Sequence, residues 1–434
     1  MSVLIETQQS PLRSVYLAIG SGGVARFCGL IANLVALPVT LTHLGQAQFS
    51  LFVVVLGLLQ IATLSSLGAG KAVTQRAASG TALKDLALDV QATLLVSLVM
   101  GLTVASMAGV GLAVAVQRLP YGVLAPGLLF FTLVGSTFFI ILLAVLQVWA
   151  DVQMGLQQLW RINVARASAA LFSTGLLVVF LPNLPSLPVA IFAIGSGALA
   201  GGILLYATCS PVLRVLILAE KPQSLVARSK HLLREGWPFL AVQGASLLFL
   251  CVLPLIVTLA VGAASAVDFS IHARVLVLLW SLGAVVANPM WPALRRLIAL
   301  QDVAQTRALV LQAGCISALL AFGAGVTFAL AGAELIKVWL GRTVPDYEAW
   351  ALPFGATVIV VLANQFLSQM LMGMGAQRHA AWTNLTFCIA ALTASCFCAR
   401  LAGPHHVFTV IVVCGFLALL RNAWCLRPIQ HVQA

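Results

Sequence analysis

The chain has 434 residues, 61% of them hydrophobic and only 8% charged, with a mean hydropathy of +1.07. A soluble protein carries about 25% charged residues, so a water-soluble fold is excluded and lipid is the expected solvent. The formal net charge is +12, but the basic residues are spread over short loops with no folded basic module, which excludes nucleic acid as a partner.

The opening stretch, MSVLIETQQSPLRS, lacks a basic start followed by an apolar core. No cleaved signal peptide is expected, and the first long segment should remain as a membrane helix. Apolar runs of about 20 residues, enough to span about 30 Å as a helix, then recur to the end of the chain. Twelve spans are predicted, at 15–40, 47–69, 92–116, 124–148, 162–181, 187–209, 237–261, 266–292, 308–332, 349–372, 381–401 and 405–425. Helices are the expected element because lipid offers no partner for an open sheet edge. The fold class is therefore an all-α polytopic membrane protein.

With the N-terminus placed in the cytoplasm, 17 of the 23 Lys and Arg fall on the cytoplasmic side, in loops or near span ends, Arg161 and Arg166 among them, and 4 fall outside. Arg26 and Arg274 remain inside spans. This asymmetry predicts cytoplasmic termini and an even number of spans.

In span 1, Gly22, Arg26, Gly29, Asn33 and Thr40 lie within about 60° of one another on a helix. They form one small and polar stripe, with Arg26 about 16 Å in, near the midplane. In span 8, Ser270, Arg274, Ser281 and Asn288 lie within about 40°. An arginine at this depth faces a cavity or a partner, and the default reading is functional. The alternative is a structural arginine bonded to backbone carbonyls. No Asp or Glu is expected deep in any span, so a cavity holding these arginines should attract anions, phosphate above all.

Span 10 places Asn364, Gln365, Ser368 and Gln369 together. The amides of Gln365 and Gln369 suit sugar hydroxyls, and interhelical bonding is the equal alternative. Asp268 and His272, four residues apart, suggest a proton-coupling pair near the outer mouth. His272 lies about 200° from Arg274, on nearly the opposite face. The nine cysteines are scattered and read as packing residues, so neither a metal nor a cofactor is expected. GALAG at 197–201 reads as a helix-packing motif. NLT at 384–386 matches a glycosylation acceptor but lies inside a span.

The chain repeats itself. VTLTHLGQAQFSLF at 39–52 resembles VTLAVGAASAVDFSIH at 257–272, and MGLQQLWRIN at 154–163 resembles MGAQRHAAWTN at 374–384. Phe49 and Phe269, Met154 and Met374, Gln157 and Gln377, and Arg76 and Arg296 all share an offset of 220. This predicts a six-helix lobe at 1–211, a basic cytoplasmic linker at 212–236 and a second six-helix lobe at 237–434. Transporters built from two such lobes bind substrate near the midplane and alternate access.

LPVTLTHLGQAQFSLFVVVLGLLQIATLSSLGAGKAVTQRAASG (37–80) resembles the first two helices of polysaccharide exporters, with Gly45, Phe49, Leu67, Gly68, Gly70 and Arg76 at the motif positions. DFSIHARVLVLLW resembles their eighth helix, through Phe269 and Arg274. The likeness covers nearly the whole chain in topology and these stretches in motif. The family is the polysaccharide transporter branch of the multidrug/oligosaccharidyl-lipid/polysaccharide (MOP) exporter superfamily. The resemblance implies a V-shaped, MATE-like arrangement with helices 1, 2, 7 and 8 lining the cavity. It also implies flipping of undecaprenyl-pyrophosphate-linked oligosaccharide, an O-antigen or exopolysaccharide repeat unit, across the bacterial inner membrane. No bond is made or broken. The implied partners are the lipid-linked oligosaccharide, membrane lipid and other polysaccharide-assembly proteins. Just twelve spans argues against the peptidoglycan-precursor flippases of the same superfamily. The alternative is a multidrug or metabolite efflux antiporter. A membrane polymerase or ligase is disfavoured, because the longest outer loop, 333–348, is too short to fold a catalytic surface.

Overall fold

The computed structural model describes residues 11–62, 66, 68–117, 126–219, 225–261, 263–340 and 347–432. Some side chains within these helices, including those of Asn33, Asp268 and Arg274, lie outside the description. The helices are α1 (Pro11–Ala62), α2 (Ala69–Ala78), α3 (Leu83–Gln117), α4 (Pro126–Gly155), α5 (Leu159–Phe180), α6 (Leu187–Thr208) and α7 (Pro211–Ala219). They continue with α8 (Leu225–Val261), α9 (Ala263–Ala299), α10 (Val303–Leu340), α11 (Tyr347–Gly373), α12 (Gln377–Ala402) and α13 (His406–Val432). No strand occurs among the described residues.

Nine described helices are long and apolar enough to cross a membrane. They coincide with nine of the predicted spans. The other three, 15–40, 47–69 and 237–261, fall on α1 and α8, which are described only in part. Two of the expected spans are joined in one helical run, α1. A straight helix of 52 residues would be about 78 Å long, and α1 is not straight. The Ser14 hydroxyl donates to Gln157 Oε1 at 3.1 Å, while Thr74 of α2 donates to the Asp151 carbonyl at 2.8 Å. Gln48 Oε1, midway, accepts from the Leu187 backbone N–H at the start of α6. The start of α1 and the helix that follows it, α2, thus both reach the C-terminal end of α4, and the middle of α1 reaches the start of α6 at the opposite end. The run folds back on itself, as two spans must.

The chain forms two compact units, Met1–Trp237 and Pro238–Ala434. The segment expected as a linker belongs to the first. Leu213 and Ile217 of α7 are buried in its core, and Gln91 Nε2 donates to the Ile217 carbonyl. In the GALAG motif, a Cβ on Gly197 would strike Ser173 and the Ala169 carbonyl, and one on Gly201 would strike Ala165 and Ala169. Small residues let α6 lie directly on α5, the packing role expected of the motif.

The repeat is visible in the main chain, with a corrected register. After α4, Gln157 adopts φ 60°, and after α11, Gly375 adopts φ 87°. Their successors, Gln158 and Ala376, take φ/ψ of −100°/36° and −90°/34°. The N–H of Gln158 bonds the Gln153 carbonyl and that of Ala376 bonds the Leu371 carbonyl, both at 2.8 Å. This is the six-to-one bond of a Schellman turn. Gln157 therefore pairs with Gly375, not with Gln377. A second such turn joins α2 to α3 through Gly80 and α9 to α10 through Gln301, with Thr81 bonding Arg76 and Asp302 bonding Leu297. Arg76 accordingly pairs with Leu297 rather than Arg296. Side-chain likeness suggested one offset of 220, whereas turn geometry sets two offsets that straddle it.

Candidate functional site

In the second unit, α8, α9, α11 and α12 enclose a cavity of about 70 Å³. Its polar wall is Asn364, Gln365, Ser368, Gln369 and Asn384, and its apolar wall includes Phe249, Trp280 and Phe387. The predicted amide face of span 10 does line a cavity. A chain of amides stiffens it. Asn422 Nδ2 donates to Asn364 Oδ1 at 2.7 Å, Asn364 Nδ2 to Asn384 Oδ1 at 3.4 Å, and Asn384 Nδ2 to Ser368 Oγ at 2.9 Å. Gln365 Oε1 and Gln369 Oε1 are buried with no partner among the described residues. Two inward acceptors beside aromatic walls suit a hydroxyl-bearing group, and the volume holds a few water-sized groups. Asn384 and Asn422 come from other helices, so spacing within span 10 could not reveal them.

In the first unit, α1 and α5 run parallel. Asn163 Nδ2 donates to the Ala18 carbonyl and to Ser21 Oγ, both at 3.0 Å, and Thr174 Oγ1 reaches the Ala32 carbonyl at 3.5 Å. Arg26 is exposed. The α1 side chains Tyr16, Val24, Phe27 and Ile31 form an exposed apolar stripe, and Arg26 points about 120° away from its centre. Arg26 is therefore accessible without facing lipid. Arg166, counted among the cytoplasmic-side charges, lies inside α5, about 10 Å from its start. Its closeness to Arg161 disguised it as one of the charges that orient the chain.

Two buried acids also escaped the sequence. Asp89 of α3 and Asp151 of α4 have side-chain exposures of 0% and 2%. Both stand near helix ends, and both are neutralised. Lys71 Nζ lies 2.6 Å from Asp151 Oδ1. Asp89 accepts from Arg76 Nη1 at 3.1 Å and from Arg228 Nε at 2.6 Å. Arg76 also bonds Glu235, and Arg228 bonds Asp85. Burial works against the Arg76 charge, but Glu235 and Asp89 outweigh it and raise the guanidinium above its ordinary value. Neither Asp89 nor Asp151 lies deep in a predicted span, as expected, but their burial against cations was not foreseen. The partners lie 13 to 159 residues apart, a pairing that a single sequence does not display.

Ser281 turns its hydroxyl back onto the Leu278 carbonyl at 2.8 Å. Asn288 is half-buried on α9. Asn33, Arg274 and Asp268 fall outside the described side chains. His272 is fully buried in an aromatic box. It stacks on Trp350 at 4.9 Å and 11° and on Tyr347 at 5.6 Å, with Phe354 edge-on at 4.9 Å. No cluster of three or more metal-ligating side chains occurs among the described residues.

No family model and no curated protein matches the chain. Solved structures do. The chain is similar to a MATE mutant at TM-score 0.79 and 14% identity, over 99% of this chain and 98% of that one. It is similar to an outward-facing multidrug resistance MATE family transporter of the MOP superfamily at 0.76 and 14%, over 100% and 98%. A MOP superfamily transporter from Pyrococcus furiosus, described by a reverse polarity of its binding pocket suggesting a different function, matches at 0.75 and 13%, over 100% and 98%. These neighbours are transporters rather than enzymes. At such identities the likeness establishes the fold: a polytopic all-helical membrane protein with the MATE architecture.

Proposed function

We propose that this chain, built on a fold used by membrane transporters, flips a polyprenyl-pyrophosphate-linked oligosaccharide across the bacterial inner membrane by alternating access. One observation carries the reading. Arg26 is accessible, turned from lipid and without a carboxylate partner among the described residues, whereas the buried acids Asp89 and Asp151 are already bonded to cations. A permanently charged guanidinium at this depth needs an anion, and none comes from the described protein. Arg274 is assigned the same role. Gln365 and Gln369 are assigned to sugar hydroxyls. The Pyrococcus furiosus neighbour supports the idea that this fold accommodates pockets of inverted charge.

Efflux of small molecules is the second reading, favoured by the multidrug neighbour. A deletion strain, complemented with wild type or with Arg26→Ala plus Arg274→Ala, separates the two. Flipping predicts loss of surface polysaccharide with lipid-linked repeat units stranded on the cytoplasmic face, and no rescue by the double variant. Normal polysaccharide with altered sensitivity to toxic compounds would establish efflux and overturn the proposal.

A further inference from the structure

Arg166 has no role in the reading above, yet its position is unusual. The exposed apolar stripe of α5 runs through Trp160, Val164, Leu171 and Val178. Arg166 points roughly 135° away from the centre of that stripe, among the buried Ile162, Asn163 and Leu177. It is nevertheless accessible. A long cation that is accessible on the protein-facing side of a helix lines an internal opening rather than the lipid surface.

The bonds between α1 and α5 set their register. Residues paired across the seam differ by 142 to 145. Arg166 is therefore level with residues 21–24, and Arg26 stands about 3–8 Å further along the axis. The two guanidinium groups feel each other's charge, and Asp151 is also within range. Asp151, however, already holds Lys71 at 2.6 Å. Neither Arg26 nor Arg166 has a hydrogen bond or an ion pair among the described residues.

The repeat argues against a merely structural arginine. With Gln157 aligned on Gly375, the counterpart of Arg166 is Asn384. Asn384 is fully engaged, with Ser368, Asn364 and the Ala380 carbonyl as partners. Arg166 occupies the same place in the frame and makes none of these bonds.

From this geometry we infer that Arg26 and Arg166 form one diphosphate-binding site within the first unit, Arg166 supplying the second guanidinium that distinguishes a diphosphate from a monophosphate. Each guanidinium forks onto the oxygens of one phosphoryl group, and the bridging anion relieves the repulsion between the two cations. This rests on the anionic-substrate reading above and adds a residue and a selectivity to it.

The test uses the full chain in nanodiscs and three probes: geranyl diphosphate, geranyl monophosphate and inorganic pyrophosphate, measured by calorimetry. Wild type should prefer geranyl diphosphate over the monophosphate by about tenfold or more. Arg166→Gln should lose about tenfold for the diphosphate and leave the monophosphate within about twofold, and Arg166→Lys should recover part of the loss. Arg166→Gln protein that melts like wild type and keeps its diphosphate preference would overturn this inference and leave the flippase reading standing. Pyrophosphate binding as tightly as geranyl diphosphate, and still lost in Arg166→Gln, would keep the arginine site and remove the lipid-linked substrate. No diphosphate binding by wild type would overturn both.

Discussion

Asp89→Asn removes one charge from a carboxylate on which two arginines converge. Asp89 is fully buried, and its oxygens take Arg76 Nη1 at 3.1 and 3.2 Å and Arg228 Nε at 2.6 Å. Breaking a buried pair from one side costs about 3–5 kcal/mol. Three features lower that figure here. Arg76 keeps Glu235 at 2.9 Å, Arg228 keeps Asp85, and Asn retains one acceptor oxygen. The arginines are 23% and 24% exposed, so water meets part of their need. The expected loss is about 2–3 kcal/mol. Asp85→Asn is the matched control. Asp85 is 59% exposed and 3.4 Å from Arg228, and its loss should cost under about 1 kcal/mol. Equilibrium unfolding by SDS titration in mixed micelles reads both. Equal shifts for the two variants, or a shift below about 1 kcal/mol for Asp89→Asn, would refute the idea that this cluster ties α2, α3 and the start of α8 together.

Gly68 has φ 85°, and a Cβ there would overlap the backbone of Gly236. Gly68→Ala should therefore destabilise by about 3 kcal/mol, combining left-handed strain with displaced backbone, and a shift under about 1 kcal/mol in the same titration would contradict the contact. A Cβ on Gly283 would meet Gln365 Oε1 at 2.8 Å and Leu362 Cδ2 at 2.7 Å, both flexible ends. Gly283→Ala should push the Gln365 amide into the cavity and lower export while stability moves by under about 1 kcal/mol. Unchanged export at normal protein levels would remove Gln365 from the site.

Hydropathy was sufficient for the helices, because lipid leaves a 20-residue apolar run little choice but to span it. The polar face of Asn364, Gln365, Ser368 and Gln369 was legible for a related reason, since all four lie within two turns of one helix. What stayed hidden required partners distant in the chain. Lys71 and Arg76 looked like free loop charges until Asp151 and Asp89 met them. Arg166 was misread for a different reason. It was counted with its neighbour Arg161, while its angle to Trp160, Val164, Leu171 and Val178 was not considered, and that wheel was available from the sequence. The fold-back of α1 was implied by two predicted spans, but the unbroken helical run across it was not.

The paired Schellman turns bear on how the halves came to differ. Each turn is closed by main-chain bonds, which are indifferent to the side chains around them. The left-handed position is Gly80 then Gln157 in one half, and Gln301 then Gly375 in the other, so even glycine is not obligatory. A frame held this way tolerates divergence wherever side chains leave it. At equivalent places one half carries Asp151 and Arg166 and the other Gln369 and Asn384. An ancestral duplication would thus have supplied two identical scaffolds, one of which kept or acquired ionic chemistry while the other settled on neutral amides.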